Sequence, residues 1–201
     1  MHIHADTLDG RDTYFLLTSL LVPRPVAWTA TRSAEGQDNL APFSYFMGVG
    51  SRPPRVAISV ARGRGGALKD TARNLLETGQ ATISICSMAQ LEAMHATSAP
   101  HGPQVSEFDV AGLTPVPATQ VAACRPAQAG VSLEVTLDQT LDLGDVHLFV
   151  LRVLGVEVRE DWLLPGESPR LDVAQLDPVA RLGGTYAPLG SEIVLPRARV
   201  G

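Results

Sequence analysis

The chain has 201 residues, enough for one well-buried core, and its 45% hydrophobic and 18% charged content suggests apolar surface held in a subunit interface. A formal net charge of −5 argues against nucleic acid or an anionic membrane as the main partner, since either favours a basic face, and leaves small molecules. Cys86 and Cys124 form no CxxC pair and no metal-spaced cluster with histidine, so neither a disulfide framework nor a zinc site is expected.

The opening MHIHADTLDGRD lacks a basic region followed by an apolar stretch, and no apolar run reaches the roughly 18 residues of a membrane span. The expected location is the cytoplasm. An apolar turn or short helix is expected around Tyr14 to Val22, followed by the Pro23-Arg24-Pro25 break and a strand over Val26 to Thr31. Ser33 to Asp38 reads as a hairpin turn, and Arg55 to Val60 and Ala81 to Ile85 as two more strands. Between these strands, Lys69 to Thr78 sets Ala72, Leu75 and Leu76 on one helical face, with Asp70 or Thr71 as its N-cap and Gly79 as its end. Ser87 and Gln90 have capping-box spacing for a second helix toward Thr97, ended by Pro100 and Pro103.

From Val131 to Leu143 apolar and polar residues alternate, which predicts a long strand with one wet face. Gly144-Asp145 turns it into His147 to Val158, an apolar run that reads as a strand either covered on both faces or bent at Gly155. Many strands, two short helices and no linker imply one antiparallel barrel domain with peripheral helices.

Common catalytic signatures are absent. Gly63 to Asp70 lacks the Gly-Lys-Ser/Thr ending of a Walker loop, and there is no G-x-G-x-x-G or G-x-S-x-G. His2, His4, His95, His101 and His147 fit no familiar metal spacing. What remains is the start of the first clear helix, where Lys69, Asp70 and Thr71 combine an ammonium, a hydroxyl and free backbone N–H groups in an anion site. Lys69 is the only lysine among 16 basic residues; the plain alternative is a solvated first-turn residue.

The order Pro23-Arg24-Pro25, Asn39 to Phe46, Pro53-Pro54 with Ser59, then Lys69-Asp70-Thr71 and Asn74 resembles the flavin reductase-like family of FMN-binding split barrels. Ser106-Glu107-Phe108, Ala111-Gly112-Leu113 and Arg181-Leu182-Gly183-Gly184 with Tyr186 extend the resemblance over about Leu20 to Leu189. It implies a mainly β, six-stranded antiparallel Greek-key split barrel with a few short peripheral helices, usually a homodimer. Carried over to this chain, Asn39, Leu40, Ala41, Pro42, Phe43, Ser44, Tyr45 and Phe46 would line the flavin ring, largely through backbone groups. Ser59, Arg62, Lys69, Asp70 and Thr71 would surround the ribityl phosphate.

Arg24 either reaches the cofactor or is a surface cation, and Tyr45 and Phe46 either stack near the flavin or join the core. Val146 interrupts the Gly-Asp-His of many flavin reductases, so His147 is read as a hydrogen-bonded structural histidine ahead of a nicotinamide contact. Arg181 and Tyr186 belong to a segment expected to fold over the pocket on the substrate side. The resemblance implies an NAD(P)H:flavin oxidoreductase passing hydride from NAD(P)H to flavin and on to a second acceptor, with a partner oxygenase among the candidates. The alternative is an FMN-binding or electron-carrier protein without NAD(P)H turnover; a split barrel using haem is opposed by the Lys69 arm.

Overall fold

The computed structural model describes residues 1–102 and 104–195. Helix α1 (Gly10–Leu20) starts at Asp9, whose carboxylate accepts from the Asp12 N–H at 2.8 Å and so satisfies one free donor of the first turn. Strands β1 (Ala27–Arg32) and β2 (Asp38–Phe43) form a hairpin whose turn uses Gly36 at φ 90°. β3 (Phe46–Ser51) and β4 (Pro54–Ala61) follow, then α2 (Asp70–Thr78), closed by Gly79 at φ 69°.

After β5 (Gln80–Ile85), the Ser87–Gln90 capping box opens a single 3-10 turn that continues as α3 (Leu91–Ala96) and stops at Thr97. Pro103, expected to help end that helix, lies outside the described residues. Helix α4 (Glu107–Val110) precedes a small pair, β6 (Pro115–Val116) with β7 (Arg125–Pro126). The long hairpin β8 (Val131–Asp142) and β9 (Val146–Val158) follows, then α5 (Val173–Leu176) and the pair β10 (Ala180–Arg181) with β11 (Tyr186–Ala187).

Seven strands make one antiparallel sheet in the order β2-β1-β5-β8-β9-β4-β3. The pairings of β1 with β5 and of β4 with β9 are Greek-key crossings. β2 and β3 stand at opposite ends of that order, yet only Ser44 and Tyr45 separate them in the chain. Three Cα steps reach at most about 11 Å, so the sheet must curl until its two edges nearly meet. The result is a barrel split between β2 and β3. The Ser59 N–H donates to Tyr45 O at 2.9 Å and pins this crossing to β4. The sheet has seven strands where the family resemblance implied six; β2 and β3 go unmarked in the sequence because they carry Asn39, Pro42, Gly48 and Gly50, which break the alternation that would reveal them.

One core cluster joins Ile58, Ile83, Val135, Phe149 and Leu151 of the sheet to Ala72 and Leu75 of α2. The other packs Trp28 and Leu40 against Met94, Phe108 and Val179. β1 therefore has both faces covered, and the Trp28 indole N–H donates to Thr97 Oγ1 at 3.0 Å. The single wet face expected of β8 is not what forms. Its first half is buried on both sides, because Glu134 accepts from the Thr119 and Gln120 N–H groups and Ser132 Oγ meets Ser84 Oγ at 2.7 Å. Beyond Thr136, its last residue paired with β5, β8 pairs with β9 alone and leaves Leu141 exposed, as is Leu143 in the turn that follows. Near Gly155 the register slips from Glu134↔Gly155 to Val135↔Val153, so the expected bend is a bulge carrying Leu154 as the extra residue.

Candidate functional site

The crossing at Ser44-Tyr45 floors a groove with two lobes. The larger, about 500 Å3, lies between α1, the Pro42–Tyr45 segment, Ser59 of β4 and the Asp145-Val146 turn. The second, about 420 Å3, lies between β2, the start of α2 and the segment from Thr97 to His101. Pro42, Phe43 and Lys69 line both lobes, so the two form one continuous surface. Each volume falls within the roughly 300–1,000 Å3 of small-molecule sites.

The α2 lobe is built for an anion. The N-cap is Lys69 and not the expected Asp70 or Thr71, which lie inside the first turn, and a lysine ammonium cannot accept the free N–H groups there; no side chain caps this helix. Lys69 is exposed and stands in no ion pair among the described residues. The neighbouring Asp70 carboxylate is neutralised by Arg73, at 2.5 Å, and does not compete for it. Across the lobe, His101 Nε2 is shut off from solvent and meets no partner among the described residues. An uncapped helix start, a lone ammonium and an orphaned ring nitrogen around one cavity fit a phosphate.

Beneath that lobe is a buried polar network. Asn39 Nδ2 donates to Glu107, while Asn39 Oδ1 accepts from Thr71 Oγ1 at 2.8 Å and Thr31 Oγ1 at 3.2 Å. Asn74 Nδ2 adds a bond to Thr31 Oγ1 at 3.0 Å. The side chains of Asn39 and Thr71 thus face inward, and both residues border the lobe mainly through backbone. Leu40 is fully buried in the second core cluster, whereas Ala41 lines the α2 lobe. Phe46 packs on the barrel core and lines neither lobe. Ser44, Tyr45 and Ser59 line the α1 lobe.

Arg24 is not a surface cation. It is 7% exposed, and its guanidinium donates to Thr18 O, Leu21 O and Leu182 O at 2.6–2.7 Å, with Nε 3.4 Å from Ser44 Oγ. It ties the end of α1, the crossing and the C-terminal segment together. Arg62 lines neither lobe; it donates to Gly144 O, Gly66 O and Asp142, which joins β4 to the β8–β9 turn and supports the loop before Lys69. The Gly144 N–H, with Arg62 and His147 nearby, holds the Asp142 carboxyl below its ordinary value. His147 is buried and stacked on Phe149, outside both lobes. The hydrogen bond expected of it is missing: Nδ1 has no partner among the described residues and Nε2 lies 3.6 Å from Asp142.

Arg181 and Tyr186 do fold beside the groove. They line a rim pocket of about 190 Å3 that shares Tyr14, Pro42 and Ser44 with the α1 lobe.

The flavin reductase like domain model matches residues 19–170, three quarters of the chain. The chain belongs to the flavin reductase-like family. It is similar to an uncharacterized protein of Aquifex aeolicus, 38% identical over 178 residues, 89% of this chain and 90% of that one. Among solved structures it resembles nitrilotriacetate monooxygenase component B from Bacillus cereus, with a TM-score of 0.90 and 32% identity over 97% of this chain and 98% of that one. It also resembles 2-nitrobenzoate 2-nitroreductase from Pseudomonas fluorescens, with a TM-score of 0.88 and 25% identity over 100% and 99% of the two chains.

Tyr14, Leu17, His95, His101, Glu107 and Asp145 line the groove or its rim in this flavin reductase-like chain without a site role foreseen from sequence. Glu107 stood in a family motif, and its place under Asn39 could have been suspected there. Tyr14 and Leu17 carried only the signal of an apolar helix.

Proposed function

We propose that this flavin reductase-like protein is an NAD(P)H-dependent oxidoreductase that binds FMN in the two-lobed groove and delivers electrons to a second acceptor. The observation that carries the reading is the meeting of Lys69, the uncapped start of α2 and the orphaned His101 Nε2 in a lobe continuous with the Pro42–Tyr45 wall. Bound there, FMN supplies two-electron redox chemistry that no side chain of the chain can perform.

The protein's own groups bind and orient. Lys69 and the N–H groups of Asp70 and Thr71 hold the phosphate, while backbone from Ala41 to Tyr45 meets the polar edge of the ring. The Asn39–Glu107 network fixes that backbone, and Tyr14 and Leu17 of α1 keep water from the opposite side. With no separate dinucleotide domain, donor and acceptor take the same face in turn, which gives ping-pong kinetics.

Anaerobic stopped-flow mixing of the FMN-loaded protein with NADH and with NADPH tests the reading. Bleaching of the flavin band by either donor is expected; a bound flavin that neither donor bleaches removes the oxidoreductase step. The burial of His147 outside the groove favours the second reading, an FMN-binding or electron-carrier protein that does not turn over NAD(P)H.

Two associations complete the proposal. Helix α1 buries only Thr18 and leaves Tyr14, Phe15, Leu17 and Leu20 exposed beside the groove, as a homodimer interface would. The similarity to a monooxygenase component supports a partner oxygenase as electron acceptor. No helix among the described residues is long and apolar enough to cross a membrane, and a cytoplasmic location is part of the proposal.

A further inference from the structure

We propose that the rim pocket beside Tyr186 is an anion subsite, which takes the carboxylate or phosphate end of the molecule that exchanges electrons at the groove. This rests on the function proposed above and adds the chemistry of that molecule.

The pocket, about 190 Å3, presents the Arg181 guanidinium, the His95 imidazole and the hydroxyls of Ser44, Ser98 and Tyr186, and no aspartate or glutamate lines it. Arg181 has no acidic partner among the described residues.

Both cation-capable groups are positioned by one side chain. The Arg181 guanidinium lies 4.4 Å from the Tyr186 ring centroid, and Tyr186 OH lies 3.2 Å from His95 Nδ1. The backbone beneath is pinned, since Arg24 and Arg181 exchange two N–H to O bonds of 2.9 Å each. A guanidinium held over an aromatic ring, on a fixed strand, is preorganised for a planar carboxylate or a phosphate.

The pocket opens toward the redox site. Tyr14, Pro42 and Ser44 line both it and the α1 lobe, so a molecule anchored by its charged end extends across Pro42 to Ser44. The space is too small for a whole dinucleotide and suits one charged end. Two sources share this chemistry: the diphosphate of a dinucleotide donor and the carboxylate of an acidic acceptor.

Isothermal titration of the full chain, loaded with FMN to fill the α2 lobe, tests the proposal with inorganic pyrophosphate and with benzoate as probes. At least one is expected to bind at one site. Arg181→Met is expected to weaken that binding about tenfold or more, the scale of a lost charge-assisted contact, with FMN affinity held. Pyrophosphate binding assigns the subsite to a dinucleotide's diphosphate, and benzoate binding to an acidic acceptor. His95→Gln, on the exposed surface of α3, should also weaken the bound probe and serves if Arg181→Met does not fold. Failure of both probes on the wild-type protein, or an unchanged affinity in the variants, overturns the subsite. Calorimetry reads the anion whether or not NAD(P)H is turned over, so the two proposals fail separately.

Discussion

Both carboxylate oxygens of Glu107 accept from Asn39 Nδ2, at 3.2 and 3.1 Å, and one also takes the Leu40 N–H at 2.9 Å. Helix α4 is thereby fastened to β2 directly under the groove. Glu107→Ala strands two buried donors, at about 1–3 kcal/mol each. The expected loss of stability is about 2–4 kcal/mol by urea unfolding, and Glu107→Gln, which keeps one acceptor, should lose less. Equal losses in the two variants would argue against this network.

Arg24 acts through geometry more than charge. Lysine cannot reach Thr18 O, Leu21 O and Leu182 O from one planar group, so Arg24→Lys is expected to destabilise by about 2–3 kcal/mol. Hydrogen exchange should quicken in both α1 and the 181–187 segment. Protection that falls in only one of them would show that Arg24 does not couple the two.

The two cysteines set an alkaline limit. Burial pushes both the Cys86 and the Cys124 thiol from the ordinary 9.0 up to about 12. The folded chain then binds these protons more tightly than the unfolded chain, so stability falls as pH rises from about 9 to about 12 and is unaffected by them below about 9. Iodoacetamide near neutral pH should label neither thiol until the protein is unfolded. Rapid labelling of the native protein would contradict their burial.

Phe15 and Leu20 of α1 are 53% and 64% exposed and line neither lobe of the groove. Phe15→Asp with Leu20→Asp is expected to turn a dimer into a monomer in sedimentation analysis. An unchanged mass would place the interface elsewhere.

The legible parts of the fold were the local ones. The Ser87–Gln90 cap and the Gly79 end of α2 follow from residues within a few positions of each other, and β1 and β5 from short β-branched runs. β2 and β3 were hidden because their strand state comes from cross-strand partners, not from their own polar and glycine-rich composition. The alternation in β8 was real, but a covering loop and the end of the β5 pairing at Thr136 decide which face is dry, and neither is local.

The candidate site divides in the same way. Lys69 stood out as the one lysine, at a helix start, whereas the wall from Asn39 to Phe46 could be read only through family likeness. Glu107 lies 68 residues from Asn39 and Tyr186 lies 91 from His95, so those pairings are products of the fold.

FMN held in the groove with its phosphate at Lys69 makes the phosphate, and not the ring, depend on that ammonium. Titration of FMN and of riboflavin into the wild-type protein and Lys69→Ala separates the two. Lys69→Ala should weaken FMN about ten- to a hundredfold and leave riboflavin at its wild-type affinity. Equal weakening of both ligands, or a wild-type chain that does not prefer FMN to riboflavin, would contradict it.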